Sequence, residues 1–177
     1  LTNSAIYGGF LSGLESIELR LPTLEDGMSV FQLIENCPPL DINSSYCNLL
    51  QCCHFANTSV AAHMNGEMVG FISGHVIPER QDTLFVWQVA VAEQARGRGL
   101  ASRMLTHILA RPHCADIVYL ETTITQDNQA SWALFRSLAK ALSADFQSAE
   151  WMDKNAHFAG QHDTEALVRI GPFNPPS

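Results

Sequence analysis

Two hydrophobic periods alternate along this chain. From Thr83 to Ala92 the apolar positions run almost without a break, Leu84-Phe85-Val86-Trp87-Gln88-Val89-Ala90-Val91, and the β-branched and aromatic content predicts a buried strand. From Leu100 to Ala110 the spacing lengthens, so that Leu100, Met104, Leu105 and Ile108 share one helical face before Pro112 stops the helix. Upstream, the same reading gives a strand from Ile17 to Leu21, a turn at Pro22-Thr23, and a helix from Leu24 to Asn36 ended by Pro38-Pro39. A polar loop from Asp41 to Ser45 then leads into a short helix from Tyr46 to Phe55. Thr58 to Met64 and Met68 to Ile77 flank Asn65-Gly66, a strong hairpin signal, and Thr83 to Ala92 continues that meander after a turn over residues 78–82. Downstream lie a strand from Ile117 to Thr125, a helix from Asn128 to Leu142, and a last strand from Glu165 to Ile170; Phe146 to Phe158 fits neither period clearly. Alternating elements favour a mixed α/β layer fold, and the helix joining Thr83–Ala92 to Ile117–Thr125 makes that pair a parallel crossover with a ligand at its carboxyl ends.

Composition narrows the class. The chain has 177 residues, 46% hydrophobic and 16% charged, which suits one soluble domain over residues 17–173 between a loose arm at 1–16 and a tail at 174–177. The arm carries Gly8, Gly9 and Gly13 but no basic residue, unlike the charged front of a secretory signal, and no apolar run reaches membrane-spanning length. A cytoplasmic location without membrane partners is therefore expected. The net charge of −8, with ten scattered Lys and Arg, argues against nucleic acid and suits a small cationic substrate. Cys37, Cys47, Cys52, Cys53 and Cys114 form no C-x-x-C pair, and His157 and His162 stand apart, so reduced thiols and no metal site are expected.

Chemistry concentrates between the central strand and its helix, at Gln94-Ala95-Arg96-Gly97-Arg98-Gly99-Leu100-Ala101. Glycines allow a tight turn and close backbone approach, the helix start presents unpaired N–H groups to a pyrophosphate, and Arg96 and Arg98 add positive charge. A P-loop would need Lys-Ser/Thr where Leu100-Ala101 stands, and a dinucleotide fingerprint would need glycine at Ser102. The remaining pattern, Gln/Arg-x-x-Gly-x-Gly/Ala at a strand end, resembles the acetyl-CoA loop of the GNAT superfamily of N-acetyltransferases.

That resemblance implies a mostly antiparallel central sheet with a splayed parallel pair and flanking helices. It implies that acetyl-CoA is the cosubstrate, held by Gln94, Arg96, Gly97, Arg98, Gly99, Ala101 and Ser102. The main chain of Val89 and Val91 would bind the pantetheine arm as an added strand, with the Val89 N–H directed at the acetyl carbonyl. A second signature, Asn128-x-x-Ser131-x-x-Leu134-Phe135, is similar to the following GNAT helix and adds Asn128, Ser131 and Phe135 to the CoA site. Many members place a tyrosine at Phe135 to protonate the departing thiolate; a phenyl ring cannot, which leaves another group, a water, or an unprotonated thiolate.

The implied reaction is direct attack of a neutral amine on the thioester, against a protonation cost of about 4–5 kcal/mol for an alkylamine at pH 7. Many relatives use a strand glutamate as base where this chain has Gln88, and Glu121 on the neighbouring strand is the nearest titratable candidate.

Four segments sharpen the resemblance: Leu19-Arg20-Leu21-Pro22-Thr23-x-x-Asp26-Gly27, Pro39-Leu40-Asp41-x-Asn43-Ser44-x-Tyr46, Leu84 to Val91, and Glu121-Thr122-Thr123-Ile124-Thr125-x-x-Asn128. Together they are similar to the diaminobutyrate acetyltransferases of ectoine biosynthesis. The family acetylates the side-chain amine of L-2,4-diaminobutyrate, whose second ammonium needs a carboxylate partner. The resemblance suggests Asp41 and Glu165 for that role, with Tyr46, Trp87 and His162 completing the pocket, and a homodimer. A GNAT enzyme for another amine, such as a polyamine, an aminoglycoside or a protein terminus, and a non-catalytic acyl-CoA sensor stay open.

Overall fold

The structure is a computed structural model that describes residues 16–176; the N-terminal arm, apart from Ser16, and the last residue of the tail lie outside the described residues. Seven strands form one sheet in the order β1-β2-β3-β4-β5-β7-β6. They are β1 (Ile17–Arg20), β2 (Val60–Met64), β3 (Glu67–Ile77), β4 (Arg80–Val91), β5 (Tyr119–Thr125), β6 (Phe146–Met152) and β7 (Glu165–Ile170). Four helices accompany them: α1 (Gly27–Glu35), α2 (Ser45–Cys53), α3 (Leu100–Leu109) and α4 (Gln129–Ala141). All strand pairs are antiparallel except β4 with β5.

Strand alternation sorts the core into two layers. Ile72, Leu84 and Val86 pack with Leu100, Met104, Leu105 and Ile108 of α3 and with Phe135 and Leu138 of α4 on one face. Phe71 and Ala90 pack with Val30, Leu33 and Ile34 of α1 and with Cys52 of α2 on the other. Such alternate burial is what a period of two dictates. Asn65 and Gly66 both take positive φ, at 53° and 83°, closing the β2–β3 hairpin where the sequence places it.

Several boundaries differ from the pattern alone. The expected first helix opens as a 3-10 turn over Leu24–Asp26, because the Asp26 carboxylate turns back to accept from the Thr23 N–H at 2.7 Å. Phe146–Met152 is an edge strand with mostly exposed side chains, which explains why its period was unreadable. Ser44 caps α2 by accepting from the Cys47 N–H at 3.2 Å.

One feature of β4 positions the site. Ser73 pairs with Gln88 and Gly74 with Val86, so Trp87 is an extra residue opposite no partner, a β-bulge. The bulge flips the alternation: Leu84 and Val86 face the α3 layer before it, Val89 and Val91 after it. Pairing with β5 covers only Thr83, Leu84 and Phe85, and beyond Phe85 the two parallel strands diverge.

Candidate functional site

The divergence of β4 and β5 leaves one edge of β4 open. Ala92 donates back to Val69 of β3, so by alternation Val91 and Val89 direct their backbone groups away from β3, into the gap. The Val91 carbonyl is held there by Arg96 Nε at 2.9 Å and by the Cys37 thiol at 3.4 Å. Val89, Val91, Arg96, Ala101, Asn128 and Ser131 line a cleft of about 280 Å³ at this edge. Asn128 caps α4 by accepting from the Ser131 N–H at 3.1 Å, so the signature Asn128-x-x-Ser131 is also a helix start.

At the cleft's outer end the chain turns through Gly97 and Gly99, with φ of 72° and 69°, and Gly99 is the N-cap residue of α3. A β-carbon at either glycine would meet nothing within 4 Å, so backbone conformation and not crowding calls for glycine. Arg98, Gly97 and Gly99 are exposed beside the free N–H groups of Leu100, Ala101 and Ser102, an arrangement suited to a pyrophosphate. Gln94 departs from the expected set: it borders a separate hollow with Ser29, Gln32 and Glu67. Phe135 is 2% exposed and belongs chiefly to the α4 core, although it also floors the central pocket.

Inward from this cleft, and sharing Pro39, Leu40, Val89, Asn128 and Ser131 with it, is a central pocket of about 550 Å³. Asp41, Trp87, Thr123, His162 and Glu165 line this pocket and also a neighbouring one of about 540 Å³. Four of the five are residues the sequence singles out; Thr123 is not. Trp87 is placed by the bulge, and Asp41 by Gln88, whose Nε2 donates to the Asp41 carbonyl at 2.9 Å while its Oε1 accepts from Asn43 at 3.1 Å. Gln88 thus ties the 41–43 loop to the sheet.

His162 Nδ1 faces the Asp163 carbonyl at 2.6 Å and Nε2 faces the Asp41 carboxylate at 3.0 Å. Two acceptors are best met by two N–H donors, so this setting favours the imidazolium. Its pKa is accordingly raised, first by the Asp163 carbonyl and, against the cost of burial, by the charge of Asp41. Glu165 Oε1 lies 3.7 Å from His162 Nε2, while Glu165 Oε2 is buried with no partner among the described residues. Burial raises the Glu165 pKa, and the opposing pull of His162 and the Thr123 hydroxyl does not cancel it.

Two expectations are corrected. Glu121, expected as the general base, is 2% exposed and clamped by two guanidiniums. Arg80 donates to both its oxygens at 2.5 and 2.7 Å, and Arg169 donates to Oε1. Burial alone would raise its pKa, but the two arginines outweigh burial and hold the pKa below the ordinary value. Its lone pairs are committed, and a carboxylate stabilised as the anion is a weaker base. Tyr46, expected in the substrate pocket, is 69% exposed on the first turn of α2 and lines none of these three clefts.

The profile of the acetyltransferase (GNAT) family matches residues 28–139. The chain is 60% identical over 162 residues to an L-2,4-diaminobutyric acid acetyltransferase from Methylotuvimicrobium alcaliphilum, covering 92% of this chain and 94% of the relative. The chain belongs to the GNAT family, among the L-2,4-diaminobutyric acid acetyltransferases. A namesake from Vibrio cholerae is 52% identical over 85% of this chain and 87% of its own. A solved diaminobutyrate acetyltransferase from Paenibacillus lautus, in complex with L-2,4-diaminobutyric acid and coenzyme A, superposes with a TM-score of 0.87 at 36% identity, covering 92% of this chain and 99% of its own. The ribosomal-protein-S18-alanine N-acetyltransferase from Escherichia coli, at 15% identity and a TM-score of 0.64 over 92% of this chain and 97% of its own, shares the fold. Among the described residues no helix is long and apolar enough to cross a membrane, and no group of three or more His, Cys, Asp or Glu is placed to hold a metal ion.

Proposed function

We propose that this GNAT member transfers acetyl from acetyl-CoA to the 4-amine of L-2,4-diaminobutyrate by direct attack on the thioester, giving N4-acetyl-L-2,4-diaminobutyrate. The observation that carries this reading is the junction of the open β4 edge at Val89 with an anionic pocket holding Asp41 and Glu165. Acetyl-CoA lies along the Val89–Val91 edge, its pyrophosphate on the Arg96-to-Ser102 turn. The Val89 N–H meets the carbonyl oxygen as it becomes an oxyanion, a contribution of about 3 kcal/mol.

Glu165, rather than Glu121, takes the proton from the attacking ammonium. A carboxylate with one buried unpartnered oxygen and a raised pKa is suited to that work. Asp41, 75% exposed at the mouth, receives the second ammonium. With phenylalanine at 135 the CoA sulfur departs as the thiolate, and for a thiol of pKa near 8.5 this costs only about 2 kcal/mol at pH 7.

The finer readings follow from the substrate: a place in ectoine biosynthesis, a cytoplasmic setting, and a homodimer, for which the outer edge of β6 at the end of the sheet offers a pairing surface. The test is thiol release from acetyl-CoA with L-2,4-diaminobutyrate, ornithine, lysine and spermidine. Selective turnover of diaminobutyrate is expected. Turnover of another amine in preference discards the substrate, and tight acetyl-CoA binding without turnover marks a sensor.

A further inference from the structure

The pocket next to the thioester end has two electrical poles. One is the anionic group of Asp41 and Glu165 with His162 between them. The other is the cluster of Arg80, Glu121 and Arg169, in which two guanidiniums face one carboxylate and Arg80 also feels the charges of Asp82 and Glu79. Arg80, Glu121, Asp41, His162 and Glu165 all line the same cavity of about 540 Å³.

Within the cationic pole the two arginines are not equivalent. Arg169 is committed: it bonds Glu121 and stacks on the Tyr119 ring at 3.9 Å from the centroid. Arg80 is 43% exposed at the cavity, and its two bonds to Glu121 leave three of its five N–H donors free of that carboxylate. Glu121 therefore fixes the orientation of the Arg80 guanidinium and does not exhaust it.

The spacing of the poles has a chemical meaning. Thr123, which lines this cavity with Glu165, lies two residues along β5 from Glu121 and on the same face of the strand. Glu165 itself pairs with Thr125, so the two poles stand at different heights along β5 within one cavity. The Glu165 pole is the one that also lines the pocket containing Val89, so the reacting amine belongs there and the far end of the acceptor at Arg80.

We infer that Arg80 is a specificity-determining residue that binds the α-carboxylate of the acceptor through a charge-assisted hydrogen bond, so that the site selects a diamino acid over a simple diamine. The inference rests on the acetyltransferase reading above. It makes Glu121 a positioning residue, acting on the acceptor through Arg80.

The test compares L-2,4-diaminobutyrate with 1,3-diaminopropane, which keeps both amines and lacks the carboxylate, in wild type, Arg80→Met and Arg80→Lys. Wild type is expected to favour the amino acid, and Arg80→Met to raise its KM by about 10- to 100-fold more than that of the diamine. Arg80→Lys, which keeps a charge opposite Glu121 but offers no fork, is expected to fall between, and supplies the comparison if the methionine variant does not fold. Equal losses for both acceptors, or an unchanged KM for diaminobutyrate, overturn the inference while leaving the acetyltransferase reading intact. Wild type that acetylates neither acceptor overturns both.

Discussion

Glu165 and His162 face each other at 3.7 Å, the one with a raised pKa through burial, the other with a raised pKa through the Asp163 carbonyl and Asp41. The first shift favours the neutral acid and the second the imidazolium, and an ionised Glu165 carries an oxygen with no partner among the described residues. That is an unstable arrangement for a resting protein and a useful one for removing a proton.

Glu165→Gln is expected to lower kcat about 100-fold or more, with acetyl-CoA affinity unchanged. In wild type the acid limb of kcat/KM should lie above the ordinary glutamate value of 4.5, because activity needs the ionised form and burial raises the pKa. The same raised pKa has an opposite consequence for folding. It favours the folded state only where the group is protonated, and that advantage is lost as pH rises through the folded pKa. At pH 7 the buried anion is thus a net liability, and Glu165→Gln should raise Tm by roughly 2–4 °C for each kcal/mol relieved. Thermal melts and pH–rate profiles of one preparation check both halves; a fall in both stability and activity would reduce Glu165 to a structural carboxylate.

Glu121→Gln should behave in the reverse sense. Its depressed pKa contributes stability that is present above 4.5 and lost as pH falls through the folded value. Removing the charge leaves Arg80 and Arg169 facing an amide, a loss of about 2 kcal/mol by neutral-pH denaturation, with a flatter stability profile in acid. The acid limb of kcat/KM should stay where it is, even as KM for the amino acid rises through the disturbed Arg80. A displaced acid limb would return the base to Glu121.

These contrasts mark what the chain's pattern could and could not reveal. Periodicity placed the hairpin at Asn65-Gly66, the crossover around α3 and the last strand, since each depends on neighbours in sequence. The glycine turn was legible for the same reason. The two fates of Glu121 and Glu165 were not, because burial and partners decide them: Arg80 and Arg169 lie 41 and 48 residues from Glu121. Nor was the bulge at Trp87, which looks like an ordinary position of a continuous apolar run and is revealed only by the register against Ser73 and Gly74. Thr123 could have been found once Glu121-Thr122-Thr123 was set on a strand, by asking which side chain shares the Glu121 face.

Asp41→Ala separates binding from folding. The Asp41 side chain is 75% exposed and α2 is capped by Ser44, so the substitution should leave Tm within about 1 °C. It should raise KM for diaminobutyrate about tenfold by removing the partner of the second ammonium, and free His162 to lower its pKa. Calorimetric titration with diaminobutyrate in the presence of CoA reads the affinity directly. A lowered Tm with unchanged affinity would assign Asp41 to the loop.

Gly99 tests the CoA turn without touching the acceptor. At φ 69° a β-carbon costs about 1–2 kcal/mol of backbone strain, although the space around it is open. Gly99→Val should relieve that strain by rotating the turn, which pulls the N–H groups at the start of α3 off the pyrophosphate. The expected result is a Kd for acetyl-CoA raised tenfold or more, against a Tm drop of only a few degrees, because the hydrophobic face of α3 from Leu100 to Ile108 stays seated on the sheet. Desulfo-CoA, which keeps the pyrophosphate and lacks the thiol, should lose affinity by the same factor; an undiminished affinity for either ligand would remove the pyrophosphate from this turn.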